Sequence, residues 1–277
     1  MMERNSSVFL LLSHDVDWGK AGAPVSHILA RKDRFDQSVL KSLSEANPYQ
    51  NIPEVVELEE KFGFKSTFFF RTHVKDSKQP PPAYDLNEYR SDIRSMISGG
   101  WEVGLHSDFL SHNRLELLEM EKKELEEIAG TKVFGNRVHY TLQSAELLRN
   151  LRKLGFKYDS SVKHQRERIS EDDFGYSLSE GIIVFPITLM EALVFQYKSN
   201  YGVKAEADVV KIVKKTLDTC ERMNKGSRIV TLIWHDSSLK MKYGRKYSDV
   251  MKYLASRKQL QVKRGIDLVK MIEKGEM

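Results

Sequence analysis

The stretch Val8-Phe9-Leu10-Leu11-Leu12-Ser13-His14-Asp15-Val16-Asp17-Trp18 changes character once. Its first five residues form a continuous apolar run, the pattern of a strand covered on both faces in a parallel sheet. Ser13, His14, Asp15 and Asp17 follow with no turn residue between them. A buried strand that delivers acids and a histidine at its C-terminal end has the layout of the mouth of a parallel α/β barrel.

Working outward, short apolar runs alternate with helical patterns. Glu54 to Phe62 reads as a helix with Gly63 at its C′ position. Ser66 to Phe70 is strand-like in its β-branched and aromatic content. Ser91 can cap a helix running to Gly99-Gly100, and Glu102 to Leu105 is the next strand. Asn113 to Ala129 is an amphipathic helix with Leu115, Leu118, Leu125 and Ile128 on its core face, stopped by Gly130. A weak strand at Lys132 to Asn136 leads to a helix from Ala145 to Leu154 and a short strand at Phe156 to Tyr158. Ile182 to Phe185 is a strand, Asp208 to Met223 a helix, and Arg228 to Trp234 the last strong strand. Two C-terminal helices follow, within residues 240–277.

This alternation predicts an α/β fold, a barrel of about seven parallel strands with helices outside, in one domain over residues 1–277. Two long connections stand out, Gly19 to Pro53 and Thr72 to Tyr89, the second containing Pro80-Pro81-Pro82. Loops of this length are more often lids or binding loops than filler.

The chain has 277 residues, 44 basic and 39 acidic, for a net charge of +5. The basic residues are interleaved with acids, as in Glu121-Lys122-Lys123-Glu124, so they read as solvated helix faces and no nucleic-acid partner is expected. Cys220 is the only cysteine, which excludes an intramolecular disulfide framework. No stretch approaches the roughly 20 apolar residues that span a bilayer, and the N-terminus has no signal-peptide pattern, so a cytoplasmic location is expected. Neither common Gly-rich phosphate loop is present, and no serine sits in a nucleophile elbow.

Chemistry-bearing residues lie just past the C-terminal ends of the predicted strands: Asp15 and Asp17, then Arg71 and His73, His106 and Asp108, Arg137, His139 and Tyr140, Asp159, and finally His235 and Asp236. In a parallel barrel these ends share one face. Any one of them alone reads as a polar residue entering a loop; the Asp pair could cap a turn, and His235 could be a core-edge histidine bonded to a carbonyl. Together they point to a common site. In extended chain Asp15 and Asp17 face one side, and two close carboxylates call for a cation or a proton between them. Asp17 and His106 could supply two ligands to a divalent, zinc-like ion, with a third ligand and water completing the shell. Such an ion makes water acidic enough to attack a carbonyl near neutral pH. Asp15 could take the proton, with Arg137 holding it ionised, and His235 could protonate a departing amine. His27, His73 and His164 sit in loop-like contexts and read as surface residues.

These residues resemble the motifs of the polysaccharide deacetylases with NodB-type homology, over Leu10 to about Asp236. Ser13-His14-Asp15-Val16-Asp17-Trp18 is similar to the first motif in a form with one residue between the aspartates. Gly104-Leu105-His106-Ser107 resembles the start of the second, Gly135-Asn136-Arg137-Val138-His139-Tyr140 the third, Tyr158-Asp159-Ser160-Ser161 the fourth, and Leu232-Ile233-Trp234-His235 the fifth. The resemblance implies a distorted (β/α) barrel and metal-dependent hydrolysis of an N-acetyl group on a sugar. It makes Asp15 the base, His235 the acid, Arg137 the residue that orients the base, Tyr140 an oxyanion donor through its backbone N–H, and Asp159 a further catalytic residue. Asp17 and His106 become metal ligands, with zinc the expected ion, and Trp18, Trp234 and His139 become candidate substrate contacts.

The chain departs from the family pattern at Leu110, where a second histidine is expected four positions after His106. His112 is the next histidine and the first candidate for third ligand, with Asp108 or His139 as alternatives. His139 also replaces the usual proline of the third motif. The expected substrate is an N-acetylated sugar or a nucleotide-linked or lipid-linked glycan precursor. Two other readings stand beside this one, a glycan-binding barrel without catalysis and a hydrolase of non-sugar amide C–N bonds.

Overall fold

The computed structural model describes residues 7–74, 77–78, 80–165, 168–196, 208–223 and 228–277. Its strands are β1 (Val8–Val16), β2 (Thr67–Phe70), β3 (Glu102–Ser107), β4 (Gly135–Val138), β5 (Tyr158–Asp159), β6 (Ser177–Ser179), β7 (Ile182–Val184), β8 (Leu189–Met190), β9 (Ile229–Ile233) and β10 (Leu260–Lys263). The α-helices are α1 (Val25–Leu29), α2 (Gln37–Lys41), α3 (Ile52–Lys61), α4 (Arg90–Ser98), α5 (Leu115–Ala129), α6 (Ala145–Lys153), α7 (Val209–Arg222), α8 (Tyr247–Ser256) and α9 (Gly265–Glu273). None of the described helices is long and apolar enough to cross a membrane.

The strands form one sheet in the order β6-β7-β5-β4-β3-β2-β1-β9-β8, with β10 also paired to β1. Among the described residues every strand pairing is parallel except β6 with β7. The sheet curls into a distorted barrel that hydrogen bonding leaves open between its edges. β1 is the hub: β9 runs along one side, while the other side pairs first with β10 through Val8–Leu11 and then with β2 through Ser13–Val16.

Alternation along each strand sorts side chains between two cores. Outward residues such as Leu10, Leu12, Phe68, Phe70, Leu105, Leu232 and Trp234 join the helices in the main apolar core. Inward residues Leu11, Phe69, Tyr158, Ile183 and Ile229 fill the barrel with Leu268 and Val269 of α9. Helix α9 plugs the end where strands begin: Gly265 N–H donates to Thr67 Oγ1 (3.1 Å) and Ile266 N–H to Glu102 Oε2 (3.0 Å). The Tyr158 ring fits only because its neighbours lack side chains; a Cβ on Gly135 or Gly265 would lie 2.2 or 2.3 Å from that phenol. With one end plugged and packed, the opposite end, where strands finish, remains as the mouth.

Most of the predicted elements form. Three short strands, β6, β8 and β10, were not anticipated, since two to four residues give no usable periodicity. The strand expected at Lys132 to Asn136 forms instead as β4, because Val133 N–H is taken by Glu126 Oε1 (3.0 Å) and held off the ladder. Ser91 does not cap α4; Asp85 caps the 3-10 turn Leu86–Tyr89, which runs straight into it. The Gly19 to Pro53 connection carries α1 and α2 rather than irregular chain alone.

On the outer face His14 docks the helical layer. Its Nε2 lies 2.7 Å from Glu59 Oε1 and its Nδ1 2.6 Å from the Trp234 carbonyl. The Glu59 carboxylate also accepts from Ser66, Trp101 and Tyr247, and it is fully buried. Glu59→Ala strips four donors of their acceptor, so we expect a loss of ~3–5 kcal/mol in denaturant unfolding. A loss below ~1 kcal/mol would show that this network does not carry the docking of α3 and α8.

Candidate active site

Barrel alternation brings Ser13 and Asp15 of β1 to the inner face, and Asp17 continues the series just beyond the strand. His106 on β3 and Arg137 on β4 are register partners on neighbouring strands. His235 follows β9 by two residues, on the same face as Ile233. All are at strand ends facing the mouth.

Arg137 is wholly buried and anchors the centre. Its Nη1 donates to Asp15 Oδ1 at 2.6 Å, its Nη2 to Ser13 Oγ (3.0 Å) and Ser160 Oγ (2.9 Å), and its Nε to the Ser160 carbonyl (2.9 Å). Its guanidinium lies 4.2 Å over the Phe69 ring. Burial alone would raise the Asp15 carboxyl, but the Arg137 charge and the imidazoles of His106 and His235 outweigh it and hold Asp15 below its usual range.

The free oxygen Asp15 Oδ2 faces two imidazoles, His106 Nε2 and His235 Nε2, each at 3.9 Å. Asp17 Oδ1 stands 3.4 Å from His106 Nε2 and 3.6 Å from His139 Nε2, and Asp17 Oδ2 stands 3.7 Å from His235 Nε2. Burial opposes ionisation of Asp17 too, yet the surrounding imidazoles of His106, His139 and His235 hold its carboxyl far below the ordinary value. His106 Nδ1 lies 2.8 Å from the Arg137 carbonyl, which orients the ring with Nε2 toward Asp17.

Ligand atoms of Asp17, His106 and His139 lie within 4.8 Å of one another. Asp17 Oδ1 and His139 Nδ1 are buried without a hydrogen-bond partner among the described residues. Burial drives the His139 pKa down to about 3, with the His106 and Arg71 charges adding to it and Asp17 opposing, so the ring is neutral near pH 7. One carboxylate and two imidazoles, desolvated and short of partners, fit a divalent zinc-like ion.

His235 differs from its neighbours. Glu191, fully buried, places both carboxylate oxygens 3.0 Å from His235 Nδ1. Burial disfavours the cation, but Glu191 first, and then Asp17 and Asp15, raise the His235 pKa to about 10. This partner was missed because β8 is only two residues long, although Glu191 follows it as the other site residues follow their strands.

The cavity at the mouth has a volume of about 630 Å³. The two long connections supply its walls: His27, Arg31, Arg34 and Tyr49 from the first, and Pro80, Pro81 and Pro82 from the second. Tyr140 and Thr141 both adopt left-handed backbone, φ 70° and 56°. The Tyr140 hydroxyl donates to the Pro80 carbonyl (2.5 Å), while its backbone N–H makes no hydrogen bond among the described residues. Strain of this kind, in non-glycine residues, clusters at functional sites.

Several expected roles need correction. His112 is not in the cluster; its Nδ1 lies 2.7 Å from the Phe109 carbonyl within a 3-10 turn, and His139 stands where the third donor was sought. Asp108 caps that same turn through Leu110 N–H and accepts from Ser77, so its carboxylate is already engaged. Trp234 is fully buried in the outer core, because alternation turns it away from the face that carries His235. Asp159 likewise is outside the cavity lining and is held by Asn136, Gln143 and Ser161. His27, expected at the surface, lines the cavity with Trp18, their rings 4.7 Å apart.

This architecture has counterparts among solved structures. A Mycobacterium smegmatis protein assigned to the polysaccharide deacetylases aligns over 100% of this chain and 94% of its own, with TM-score 0.69 and 16% identity. The chain has the NodB-type polysaccharide deacetylase fold. A Pseudomonas aeruginosa protein with the same assignment aligns over 98% of this chain and 92% of its own, with TM-score 0.61 and 15% identity. The PuuE allantoinase aligns over 98% and 92%, with TM-score 0.63 and 15% identity. No protein-family model and no curated protein matches the sequence.

Zinc at about a hundredfold its dissociation constant should stabilise the folded protein by ~2.7 kcal/mol, read as a rise in melting temperature over chelated protein. His139→Ala should abolish that rise and His112→Ala should leave it intact. The reverse pattern would return the third donor to His112.

Proposed function

We propose that the chain is a metal-dependent hydrolase that removes an N-acetyl group from a sugar or glycan precursor. The observation that carries this reading is the double use of Asp15: one oxygen is locked on Arg137 at 2.6 Å, and the other is open toward His235 and the Asp17, His106, His139 cluster.

Asp17, His106 and His139 would hold the ion. When bound it would polarise the amide carbonyl and lower the pKa of a water. Asp15, ionised and oriented by Arg137, takes the proton from the attacking water at Oδ2. His235, kept protonated by Glu191, gives a proton from Nε2 to the departing amine. The unpartnered Tyr140 N–H, fixed by its left-handed backbone, is placed to stabilise the developing oxyanion. Trp18 offers an aromatic face for the sugar ring. Asp159 acts at one remove: its Oδ1 holds Ser161, whose Oγ accepts from Val138 N–H beside His139.

Against the reading of a barrel without catalysis, which Leu110 favours, stands His139, a donor of the same kind within reach of Asp17 and His106. A second enzymatic reading draws on the likeness to the allantoinase, whose name marks hydrolysis of a non-sugar C–N bond. The same base and acid would serve either substrate.

Acetate release from a panel of N-acetylated sugars, with allantoin alongside, separates the two. Asp15→Asn and His235→Ala should each lower kcat by about 10²–10⁴-fold, measured on the folded fraction because each leaves a buried charge without its partner. Acetate release unaffected by either variant would contradict the roles assigned. Because Glu191 raises the His235 pKa, acid catalysis should fail only as pH climbs toward the alkaline range. Glu191→Gln should move that alkaline limb of kcat to lower pH, and an unmoved limb would detach Glu191 from the acid.

A further inference from the structure

Arg71 and Asp108 directly follow β2 and β3, yet neither has a part in the acid–base chemistry above. Both hold the second long connection. Arg71, 1% exposed, donates from Nη1 to the Pro81 carbonyl at 2.5 Å, and its Nη2 faces the Asp108 carboxylate at 3.7 Å. Asp108 Oδ2 accepts from Ser77 Oγ at 2.6 Å. Tyr140 completes the set, its hydroxyl donating to the Pro80 carbonyl at 2.5 Å. The connection is thus tied at the ends of β2, β3 and β4, which are consecutive in the sheet. Proline has no N–H and a fixed φ, so the strap Pro80-Pro81-Pro82 is stiff and can only accept hydrogen bonds. Arg71 and Tyr140 supply the donors. The clamp is itself braced: Arg71 N–H donates to the Tyr84 hydroxyl (3.1 Å), which donates to the Val16 carbonyl at the end of β1 (2.8 Å). Asp108 N–H and the Thr72 hydroxyl both donate to the buried Glu121 Oε1, at 2.8 and 2.9 Å.

Tyr140 is where this clamp meets the chemistry. Its backbone is left-handed, as is that of Thr141, and L residues keep that conformation only where their surroundings hold it. Local contacts are few: Thr141 N–H donates to the Val138 carbonyl (2.9 Å), and the Tyr140 ring lies 4.2 Å from the His139 ring. The Tyr140 residue is 46% exposed, so burial does not fix its ring, and the hydroxyl's bond to the strap is the tether that remains. We infer that Arg71 and the Tyr140 hydroxyl are positioning residues: Arg71 sets the strap, and the strap, through the phenol, holds the Tyr140 N–H toward the developing oxyanion. The inference rests on the hydrolase reading for the oxyanion, whereas the clamp stands on its own hydrogen bonds.

The test follows the backbone amide of residue 140 by NMR relaxation, in zinc-loaded protein labelled with nitrogen-15 in tyrosine and phenylalanine. Its order parameter should be in the rigid range, about 0.85, and fall below about 0.6 in Arg71→Gln and in Tyr140→Phe, while core amides such as those of Phe69 and Tyr158 stay rigid. Arg71→Lys keeps a donor for the Pro81 carbonyl and should restore most of the rigidity. Tyr140→Phe removes one oxygen from a half-exposed ring, so it reports on the clamp even where Arg71→Gln disturbs the core. Turnover of an N-acetylated sugar gives the second readout. Arg71→Gln and Tyr140→Phe should each lower kcat by about 10–100-fold with KM within about twofold, since an oxyanion donor acts in the transition state. An amide that stays rigid in both variants overturns the inference. So does a raised KM with unchanged kcat, which would make the strap a wall of the pocket and nothing more. Loss of rigidity at residue 140, in a protein whose wild type releases no acetate from any sugar, would count against the hydrolase reading alone.

Discussion

The buried contact between Arg137 and Asp15 governs the arrangement of the site. Placing an ion pair inside a barrel is costly unless its hydrogen-bonding capacity is met, because each charge gives up its water. Here Ser13, Ser160 and the Phe69 ring occupy the remaining faces of the guanidinium. The pair spans the barrel from β4 to β1, so it fixes the distance between strands that are not neighbours in the sheet. Because one oxygen of Asp15 is consumed in this way, the other has a single possible direction, toward the imidazoles at the mouth.

The four imidazoles that the strand ends carry, His14, His106, His139 and His235, then divide by their partners. His14 is turned outward onto Glu59 and serves packing. His106 has its Nδ1 on a backbone carbonyl and presents Nε2 inward. His139 Nδ1 has no hydrogen-bond partner among the described residues, and burial keeps the ring neutral, with a pKa of about 3. His235 is backed by Glu191 and kept charged, with a pKa of about 10. Under the proposed function the same side chain is thus set as structural strut, donor ligand or acid by what lies behind it, the division of labour expected when environments push titration apart.

Much of this was legible in the sequence. The apolar run of β1 leading to Asp15 and Asp17, the strand ends at His106 and Arg137, and the long connections as cavity walls all follow from periodicity and position. The errors have a common origin. Motif resemblance assigns a residue by its place in a string, whereas the barrel assigns it by the parity of its position along the strand. Trp234 next to His235, and Asp159 after the inward Tyr158, are on the wrong parity for the cavity, and alternation read strictly would have excluded them. His112 was favoured over His139 because it is nearer His106 in sequence, although His139 lies beyond β4, the neighbouring strand, with its N–H on Ser107. Glu191 and Tyr49 gave no signal, since one follows a two-residue strand and the other sits in a loop whose path no pattern specifies.

The most direct test is an anomalous difference map, collected at the zinc edge, from crystals of the zinc-loaded protein. One strong peak should lie among Asp17, His106 and His139, with Asp15 still bonded to Arg137 and close to the ion without coordinating it through both oxygens. A peak that excludes His139, or an ion that draws Asp15 away from Arg137, would contradict the assignment of base and ligands on which the chemistry depends.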